Sequence, residues 1–331
     1  MEKIVIYTGY QKGNWVDYHP IQKGLGGSEQ CAYYLSQELK DTYEVYVCFD
    51  KSNNEDIEGV KYRDIETIKK ELKGVQIKCL IAVNYINYLI ELNDLSFTSS
   101  FFWMHNLSFF EWYQGERLPL GGKNLLHDGR LKKIVCVSEW HKSKMKEIFN
   151  KFSNKIIHID NGIALDNFKK SNFKIKDSLV YSSAPNRAFL DVVNNWEFVQ
   201  ESLCNPKIYI CVPNYCEKDW ERDEYKKALS LVDHKFYGCL PRDKLYDLFS
   251  KMEYWYYPAK YEETFCITAL EMLGHNITPV SSETASLKTT LGNFNCKDFS
   301  FKNNPKQVRK YLSGFDWKVQ AVKWKTLIES H

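Results

Sequence analysis

Two carboxylates, Glu263 and Glu271, lie in the pattern Glu-x7-Glu within the stretch Pro258 to Val280. An ionised carboxylate accepts hydrogen bonds from the hydroxyl groups of a sugar or a ribose, whereas the exposed N–H groups at a helix start favour a phosphate. A sugar nucleotide offers both groups. The alternative is an ordinary loop and amphipathic helix with two solvated acids, because a pair at this spacing is a weak motif on its own.

The apolar run Ile267 to Leu273 between these acids predicts a short helix. We expect Thr264 or Thr268 near its start and Gly274 as the C′ residue that ends it. Glu263 then lies in the entry loop, and Glu271 lies inside the helix.

Arg187 lies in the sequence SSAPNRA, between the predicted strand Leu179 to Ser182 and a helix that begins near Phe189. At such a strand-to-helix junction the guanidinium can bind a diphosphate through parallel N–H groups. The alternative for Arg187 is a surface salt bridge.

A glycine-rich run, GLGGSE, includes Gly26 and Gly27 and precedes a predicted helix. Backbone N–H groups there can approach a phosphate or a substrate hydroxyl, and a flexible turn is the alternative. The run is not a dinucleotide-binding fingerprint, because it does not follow the first strand directly and Glu29 replaces the last glycine.

His105 ends the predicted strand in FFWMH, and ligands of open α/β sheets collect beyond the carboxyl ends of the strands. A structural role is the alternative for this lone histidine. The loop Tyr10 to Lys23, directly before the glycine-rich run, contains Trp15, Tyr18 and His19. These side chains either stack on a sugar ring or pack the loop onto the protein.

Short apolar runs alternate with helical or loop segments along the whole chain, which predicts an α/β fold with parallel sheets in two similar halves. The polar, lysine-rich segment Lys169 to Asp177 marks the boundary between the halves. The predicted strands are Lys3 to Thr8, Val45 to Phe49, Lys78 to Val83, Ser100 to His105, Lys133 to Val137, Lys155 to Ile159, Leu179 to Ser182, Lys207 to Val212, Lys235 to Tyr237, Tyr254 to Tyr257 and Ile277 to Ser281.

The 331 residues suit two domains, and the hydrophobic fraction of 44% suits a globular protein. A net charge of +3 argues against a general nucleic-acid binder. Ten cysteines without a C-x-x-C pair indicate buried free thiols and a reducing, cytoplasmic compartment. Neither a signal peptide nor a membrane span is predicted.

The segment 139–155 is basic and amphipathic, with Met145, Ile148, Phe149 and Phe152 on one helical face. Such a helix either packs on a sheet or rests on an anionic membrane surface as a peripheral contact. In the tail, Trp317 to Ile328 predicts a packed terminal helix.

Six motifs in order, GLGGSE, WMH, IVCVSEW, NGI, YSSAPNR and EETFCITALEMLGHNITPV, resemble those of glycosyltransferase family 4, retaining enzymes with the GT-B fold. The resemblance implies two Rossmann-like domains that face a cleft. An acceptor-binding domain is then expected over 1–170, a sugar-nucleotide-binding domain over 171–308, and a terminal helix over 309–331 that crosses back to the first domain.

The resemblance also implies roles for single residues. In the second domain, Glu271 would hold the ribose hydroxyls, Glu263 would lie beside the donor sugar, and Arg187 would neutralise the donor diphosphate. The remaining implied residues are the catalytic His105 near the donor sugar, Gly26 and Gly27 near the phosphate, and the backbone N–H groups of Thr264, Phe265 and Cys266 facing sugar hydroxyls or phosphate oxygens.

The chain departs from the common family pattern in two places. Thr264 and Cys266 stand where many members have glycine, and Arg187 has no second basic residue shortly before it, although another lysine can supply that charge. The chain contains no Asp-x-Asp, so we expect no metal and no other cofactor.

We therefore expect a retaining glycosyltransferase that moves a sugar from a nucleotide diphosphate to a hydroxyl of a saccharide, glycan or lipid-linked acceptor. The alternatives are a sugar-nucleotide epimerase on the same fold and a catalytically silent nucleotide- or carbohydrate-binding protein.

Overall fold

The computed structural model of the protein describes residues 1–9, 26–51, 53–109, 112–113, 116–117 and 121–331. The chain divides into two compact units. The first contains residues 1–9, Gly27–Gly162 and Trp317–His331, and the second contains Ile163–Asp316. The predicted boundaries after 170 and 308 lie close to these divisions without coinciding with them. The binding roles expected of the two domains stay predictions.

The elements of the first unit are β1 (Lys3–Gly9), α1 (Gly27–Leu39), β2 (Glu44–Phe49), β3 (Asp56–Ile57), β4 (Val60–Asp64), α2 (Ile65–Glu71), β5 (Gln76–Val83), α3 (Tyr88–Glu91), β6 (Ser96–Met104), β7 (Trp112–Tyr113), β8 (Glu116–Arg117), α4 (Gly121–His127), β9 (Leu131–Cys136), α5 (Glu139–Ile148), a 3-10 helix (Asn150–Lys155) and β10 (Ile156–His158). The elements of the second unit are a 3-10 helix (Leu165–Asn167), β11 (Ser178–Ser182), α6 (Pro185–Asn194), α7 (Trp196–Ser202), β12 (Lys207–Cys211), a 3-10 helix (Asn214–Glu221), α8 (Asp223–Leu229), β13 (His234–Gly238), α9 (Arg242–Lys251), β14 (Tyr254–Tyr257), α10 (Ile267–Gly274), β15 (Thr278–Ser281), α11 (Leu287–Leu291), a 3-10 helix (Gly292–Phe294), α12 (Pro305–Leu312) and a 3-10 helix (Ser313–Phe315). The last helix, α13 (Trp317–Glu329), belongs to the first unit.

The first unit is built on an eight-stranded sheet in the order β10-β9-β6-β5-β1-β2-β4-β3. All neighbouring strands are parallel except β3 and β4, which are antiparallel. Parallel strands covered on both faces are continuous apolar runs rather than alternating ones. This explains why Ile4 to Tyr7 in β1 are all fully buried.

Eleven predicted strands correspond to strands of the two sheets, with ends that differ by a few residues. The structure corrects the prediction for β6, which begins at Ser96 and ends at Met104, so His105 is the first residue after the strand. The strands β3 and β4 were not predicted, because charged residues interrupt the apolar pattern of Val60–Asp64.

The second unit contains a five-stranded parallel sheet in the order β13-β12-β11-β14-β15. The central strand β11 pairs with β12 on one side and with β14 on the other. The chain therefore leaves neighbouring strands β11 and β14 in different directions, which makes a topological switch point. In open α/β sheets, ligands bind outside the carboxyl ends of the strands at such a point.

The terminal helix α13 packs onto the core of the first unit. The indole of Trp324 is fully buried, and its ring centre lies 5.0 Å from that of Trp103 on β6. Trp317 packs directly on Gly162, where an added Cβ would lie 2.3 Å from the indole ring. The predicted terminal helix and its return to the first domain are confirmed.

The prediction of one helix over 139–155 is wrong. Helix α5 ends at Ile148, because Phe149 leaves the helical region (φ −113°, ψ 52°) as its C-cap. The break turns Phe149 toward Phe109, with ring centres 5.0 Å apart, while Ile148 is left 51% exposed. The four apolar residues therefore do not share one face.

All ten cysteines are free thiols, and seven of them are buried, as predicted. Within the described part of the chain, every helix is too short or too polar to span a bilayer.

Candidate functional site

The loops that follow β11 and β14 bring Arg187 and Glu263 together. Arg187 lies in the first turn of α6, directly after β11, and Glu263 lies in the loop between β14 and α10. Because β11 and β14 are parallel neighbours, both loops lie at the same edge of the sheet. Two residues separated by 76 positions thus meet at the switch point of the second unit.

The Glu263 carboxylate is held by two donors. The Nη1 group of Arg187 donates to Oε1 at 3.1 Å and to Oε2 at 3.0 Å, and the hydroxyl of Tyr257 donates to Oε1 at 2.8 Å. Burial, and then the adjacent Glu263 charge, raise the pKa of Tyr257 well above its ordinary value. Tyr257 therefore stays a protonated donor, and Glu263 has a fixed orientation.

The guanidinium of Arg187 also stacks on the ring of Tyr261, with its central carbon 4.5 Å from the ring centre. Its side chain is 32% exposed, against 9% for Glu263. A planar guanidinium held by a carboxylate and by an aromatic face can present further N–H groups to an anion. Arg187 is thus an accessible, oriented cation. The structure shows it in a salt bridge with the buried Glu263, whereas the alternative expected for it was a surface salt bridge.

The entry to α10 has an unusual backbone. Cys266 occupies the N-cap position in the left-handed region, with φ 44° and ψ 75°, and its side chain makes no cap hydrogen bond. Thr268 lies near the start of α10, as predicted, whereas the N-cap residue is Cys266. Glycine adopts this conformation without steric cost, whereas a residue with a Cβ does not. Burial raises the pKa of the Cys266 thiol well above its ordinary value, so it stays protonated.

Two backbone N–H groups, those of Phe265 and Cys266, lie directly before the first residue of α10. In the described part of the chain, no group accepts a hydrogen bond from the backbone N–H of Phe265 or of Cys266. The Phe265 side chain is buried and packs on Phe315, with ring centres 5.9 Å apart. The loop is thereby anchored through a side chain while its backbone donors stay available to a ligand.

The end of α10 also differs from the prediction. Gly274 is the last helical residue rather than the C′ residue, and Asn276 takes the left-handed conformation (φ 55°) instead. Gly274 is required for space, since an added Cβ would lie 2.2 Å from the ring of Phe168.

Glu271 is buried inside α10 beside two residues of α9. Arg242 donates from Nη1 to Oε1 of Glu271 at 2.5 Å, and the Tyr246 hydroxyl donates to the same oxygen at 2.8 Å. Arg242 also donates to the Tyr246 hydroxyl at 2.9 Å. The two Glu-x7-Glu acids are therefore each paired with an arginine.

Sequence reasoning missed Arg242. It begins α9 after β13 and the short segment Cys239-Leu240-Pro241, so it lies at a strand-to-helix junction, as Arg187 does. The criterion that singled out Arg187 could therefore have found it. What the sequence could not reveal is that Arg242 lies next to Glu271, 29 positions away.

His105 belongs to the first unit and follows β6. Its backbone N–H donates to the side-chain oxygen of Asn84 at 2.8 Å, and its ring packs on Trp103 at 4.8 Å. Burial, and then the nearby His141, lower its pKa to about 3. The imidazole is thus neutral near pH 7.

The glycine-rich run meets its predicted helix: Gly27 is the first residue of α1, and Gly26 directly precedes it. Glu29 lies in the first turn of α1, and burial raises its pKa. The other predicted features of this region, the loop Tyr10 to Lys23 with Trp15, Tyr18 and His19, lie outside the described residues.

Within the described residues, no three His, Cys, Asp or Glu side chains gather into a group that could hold a metal ion. The expectation of a metal-independent protein stays a prediction.

Neither protein-family models nor the curated protein sequences give a match to this chain. Solved structures do. Sucrose-phosphate synthase from Thermosynechococcus elongatus aligns with a TM-score of 0.71 and 13% identity, over 100% of this chain and 99% of its own. Anabaena HepE in complex with UDP and glucose aligns with a TM-score of 0.68 and 11% identity, over the whole of both chains.

The catalytic domain of starch synthase IV from Arabidopsis thaliana, bound to ADP and acarbose, gives a TM-score of 0.67 and 12% identity, over 100% of this chain and 99% of its own. The chain has the GT-B fold. The predicted fold class is therefore confirmed, whereas at these identities the likeness concerns the fold alone.

Proposed function

We propose that this GT-B protein is a retaining glycosyltransferase of the family 4 type. It would move a sugar, such as a hexose, from a nucleotide diphosphate to a hydroxyl of a saccharide, glycan or lipid-linked acceptor, without a metal ion. The observation that supports this most strongly is the pairing of Arg187 with Glu263 at the switch point of the second unit. Beside them, the backbone N–H groups of Phe265 and Cys266 have no acceptor among the residues that the structure describes.

Arg187 is assigned to the leaving diphosphate. The side chain of Arg187 is 32% exposed while it pairs with Glu263, so its guanidinium is accessible to a diphosphate that approaches from solvent. Charge builds up on the leaving phosphate as the bond to the sugar breaks, and a preorganised cation stabilises that charge.

In the reaction, the bond between the anomeric carbon and the diphosphate oxygen breaks. The acceptor oxygen forms its bond to the same face of that carbon, so the anomeric configuration is retained. The proton of the acceptor hydroxyl passes to the leaving phosphate. No redox change and no further reactant is needed.

The other assignments follow from the chemistry of each group. Glu263, oriented by Tyr257 and Arg187, would accept hydrogen bonds from hydroxyls of the donor sugar. Glu271 would accept from the ribose. A neutral His105, with its pKa lowered to about 3, suits hydrogen bonding to a sugar rather than proton transfer near pH 7.

The roles of the remaining residues are proposals of the same kind. Thr264, Phe265 and Cys266 would supply backbone N–H groups to the donor, and Gly26 and Gly27 would approach its phosphate. Although its apolar residues do not share one face, the segment 139–155 is basic and exposes Ile148, and it would provide a peripheral contact with an anionic membrane that carries a lipid-linked acceptor. A cytoplasmic location and the absence of a nucleic-acid partner also belong to this proposal.

A thermal-shift screen with UDP, GDP, ADP and their sugars tests donor binding, since a ligand that binds only the folded state raises the melting temperature. We expect one base to stabilise the wild type and the Arg187→Gln variant to lose that shift. Arg222→Gln is the matched control, because this arginine belongs to the same unit, has a side chain that is 61% exposed and pairs with Asp219 at the surface. If no nucleotide raised the melting temperature of the wild type, the proposed nucleotide binding would be rejected.

One observation favours a catalytically silent nucleotide-binding protein instead. Both Glu263 and Glu271 are already neutralised by arginines. Donor consumption separates the cases: a transferase needs an acceptor, an epimerase converts the donor without one, and a silent protein leaves the donor intact.

A further inference from the structure

We propose that Arg242 and Tyr246 are positioning residues that fix the carboxylate of Glu271 through one oxygen and leave the other to a ribose hydroxyl. The inference rests on the proposed function, since it assigns Glu271 to the nucleoside part of the donor. It adds a second arginine to the site and makes two residues of α9 responsible for the preference for a ribose hydroxyl over a hydrogen.

The two residues share one face of α9, four positions apart, so both reach the same neighbour. All three residues of the cluster are buried: the exposed fraction of the residue is 8% for Arg242, 3% for Tyr246 and 6% for Glu271. A buried carboxylate without a partner would be strongly unfavourable. Arg242 compensates the charge that Glu271 brings into the interior.

The hydrogen bonds of the cluster are directional. Arg242 has only donors, so the hydroxyl oxygen of Tyr246 accepts from Arg242 and the hydroxyl hydrogen points to Glu271. Both donors end on Oε1 of Glu271. Among the residues that the structure describes, none donates a hydrogen bond to Oε2. One oxygen is thus fixed, and the other remains an acceptor.

The backbone of Glu271 is fixed as well. The Nδ1–H of His275 donates to the Glu271 carbonyl at 2.7 Å, and the ring of His275 packs on that of Tyr246 at 4.6 Å. Tyr246 therefore contacts Glu271 directly and supports it through His275. A carboxylate held at its side chain and at its backbone presents the free oxygen in one direction.

Stability alone does not explain this arrangement. A buried ion pair contributes little net stability, because the cost of removing two charges from water offsets their attraction. Apolar residues of similar size would fill the same space. A buried charged pair whose carboxylate keeps one free oxygen is better explained as a holder of a hydroxyl ligand.

The test measures discrimination between hydroxyl and hydrogen on the ribose by titration calorimetry. The probes are UDP, GDP and ADP, followed by the 2′-deoxy and 3′-deoxy forms of the one that binds most tightly. A hydrogen bond to a charged group predicts that the wild type prefers a ribose hydroxyl by about 10- to 100-fold. Glu271→Gln should remove most of this preference.

Tyr246→Phe and Arg242→Lys are the informative variants. Tyr246→Phe keeps the ring that packs on His275 and removes only the hydroxyl, and Arg242→Lys keeps the charge. We expect both to lower the preference at least threefold while the Kd for the deoxy nucleotide stays within about twofold. If Arg242 and Tyr246 had only a structural role, the variants would change the melting temperature and leave the ratio of the two Kd values, for the deoxy nucleotide and for the nucleotide, unchanged. Arg222→Lys is the control.

Three results would overturn the inference. An unchanged ratio in both variants, together with a lost preference in Glu271→Gln, would reject the positioning role and leave the proposed function intact. An unchanged ratio in Glu271→Gln would reject Glu271 as the ribose acceptor. If no nucleotide bound the wild type, the proposed function would fail together with this inference.

Discussion

The left-handed backbone at Cys266 gives a quantitative test of the loop that joins the two acids. Cys266 has φ 44° and is the N-cap residue of α10, between Glu263 and Glu271. We predict that Cys266→Gly is more stable than Cys266→Ala, which reverses the usual order of these two residues.

The magnitude follows from two opposing effects. Both replacements remove the thiol, so the loss of its packing is common to them and cancels in the comparison. Left-handed backbone costs a residue with a Cβ about 1–2 kcal/mol relative to glycine. The greater freedom of glycine in the unfolded chain costs about 0.4–1 kcal/mol relative to alanine. Glycine should therefore be favoured by roughly 0.5–1 kcal/mol at this position.

Differential scanning calorimetry measures this difference as a higher melting temperature of the second unit, by about 1–4 °C, in the glycine variant. Cys204 provides the control, because it is exposed and its backbone is not left-handed. There the alanine variant should be the more stable. If alanine were also the more stable at Cys266, the reasoning about this loop would be refuted.

Two further predictions concern the neighbourhood of α10. Gly274→Ala should lower the stability of the second unit, measured by urea titration, by about 1–3 kcal/mol, because the added Cβ would overlap Phe168. Gly129→Ala is the control and should have little effect, because the space around its Cβ is open. Equal effects of the two variants would contradict the prediction. Burial lowers the pKa of His275 to about 4, so between this pH and about pH 6.5 the unfolded chain binds a proton that the folded protein excludes. The contribution of His275 to the free energy of unfolding is therefore complete above about pH 6.5 and falls by about 3 kcal/mol as the pH drops toward 4. His275→Asn should flatten this decline, and an unchanged pH profile in that variant would show that another group is responsible.

The fold was predictable because buried parallel strands leave a strong signal in the sequence. The run at β1, for example, is apolar on both faces, and its prediction was confirmed. About half of the residues of β4 are charged. One of them, Arg63, forms ion pairs with Asp56 and Glu71. Such a strand depends on tertiary partners that a local pattern does not contain.

Predictions about helix ends failed for a similar reason. Periodicity indicated one helix over 139–155, but the core favours a turn at Phe149 that brings its ring to Phe109. Glycine at 274 suggested a C′ residue, yet its purpose is to make room for Phe168. In both places a side chain far away in the sequence determines the local backbone.

The candidate site was partly predictable. Position after a strand indicated Arg187, and the acid pattern indicated Glu263, which the structure places within hydrogen-bonding distance of each other. The pairing of Arg242 with Glu271 was not predictable, because it depends on how α9 and α10 pack. The roles of all these residues stay predictions until binding and transfer are measured.

The central claim, retaining transfer that depends on Arg187, is tested most directly by a time course of donor and product followed by proton NMR. With the donor found in the nucleotide screen and a saccharide acceptor panel, the wild type should form a product with the anomeric configuration of the donor. Loss of one charge that stabilises the leaving group should slow Arg187→Gln by about 100- to 1,000-fold, with Arg222→Gln unaffected. An inverted product, or full activity in Arg187→Gln, would contradict the account.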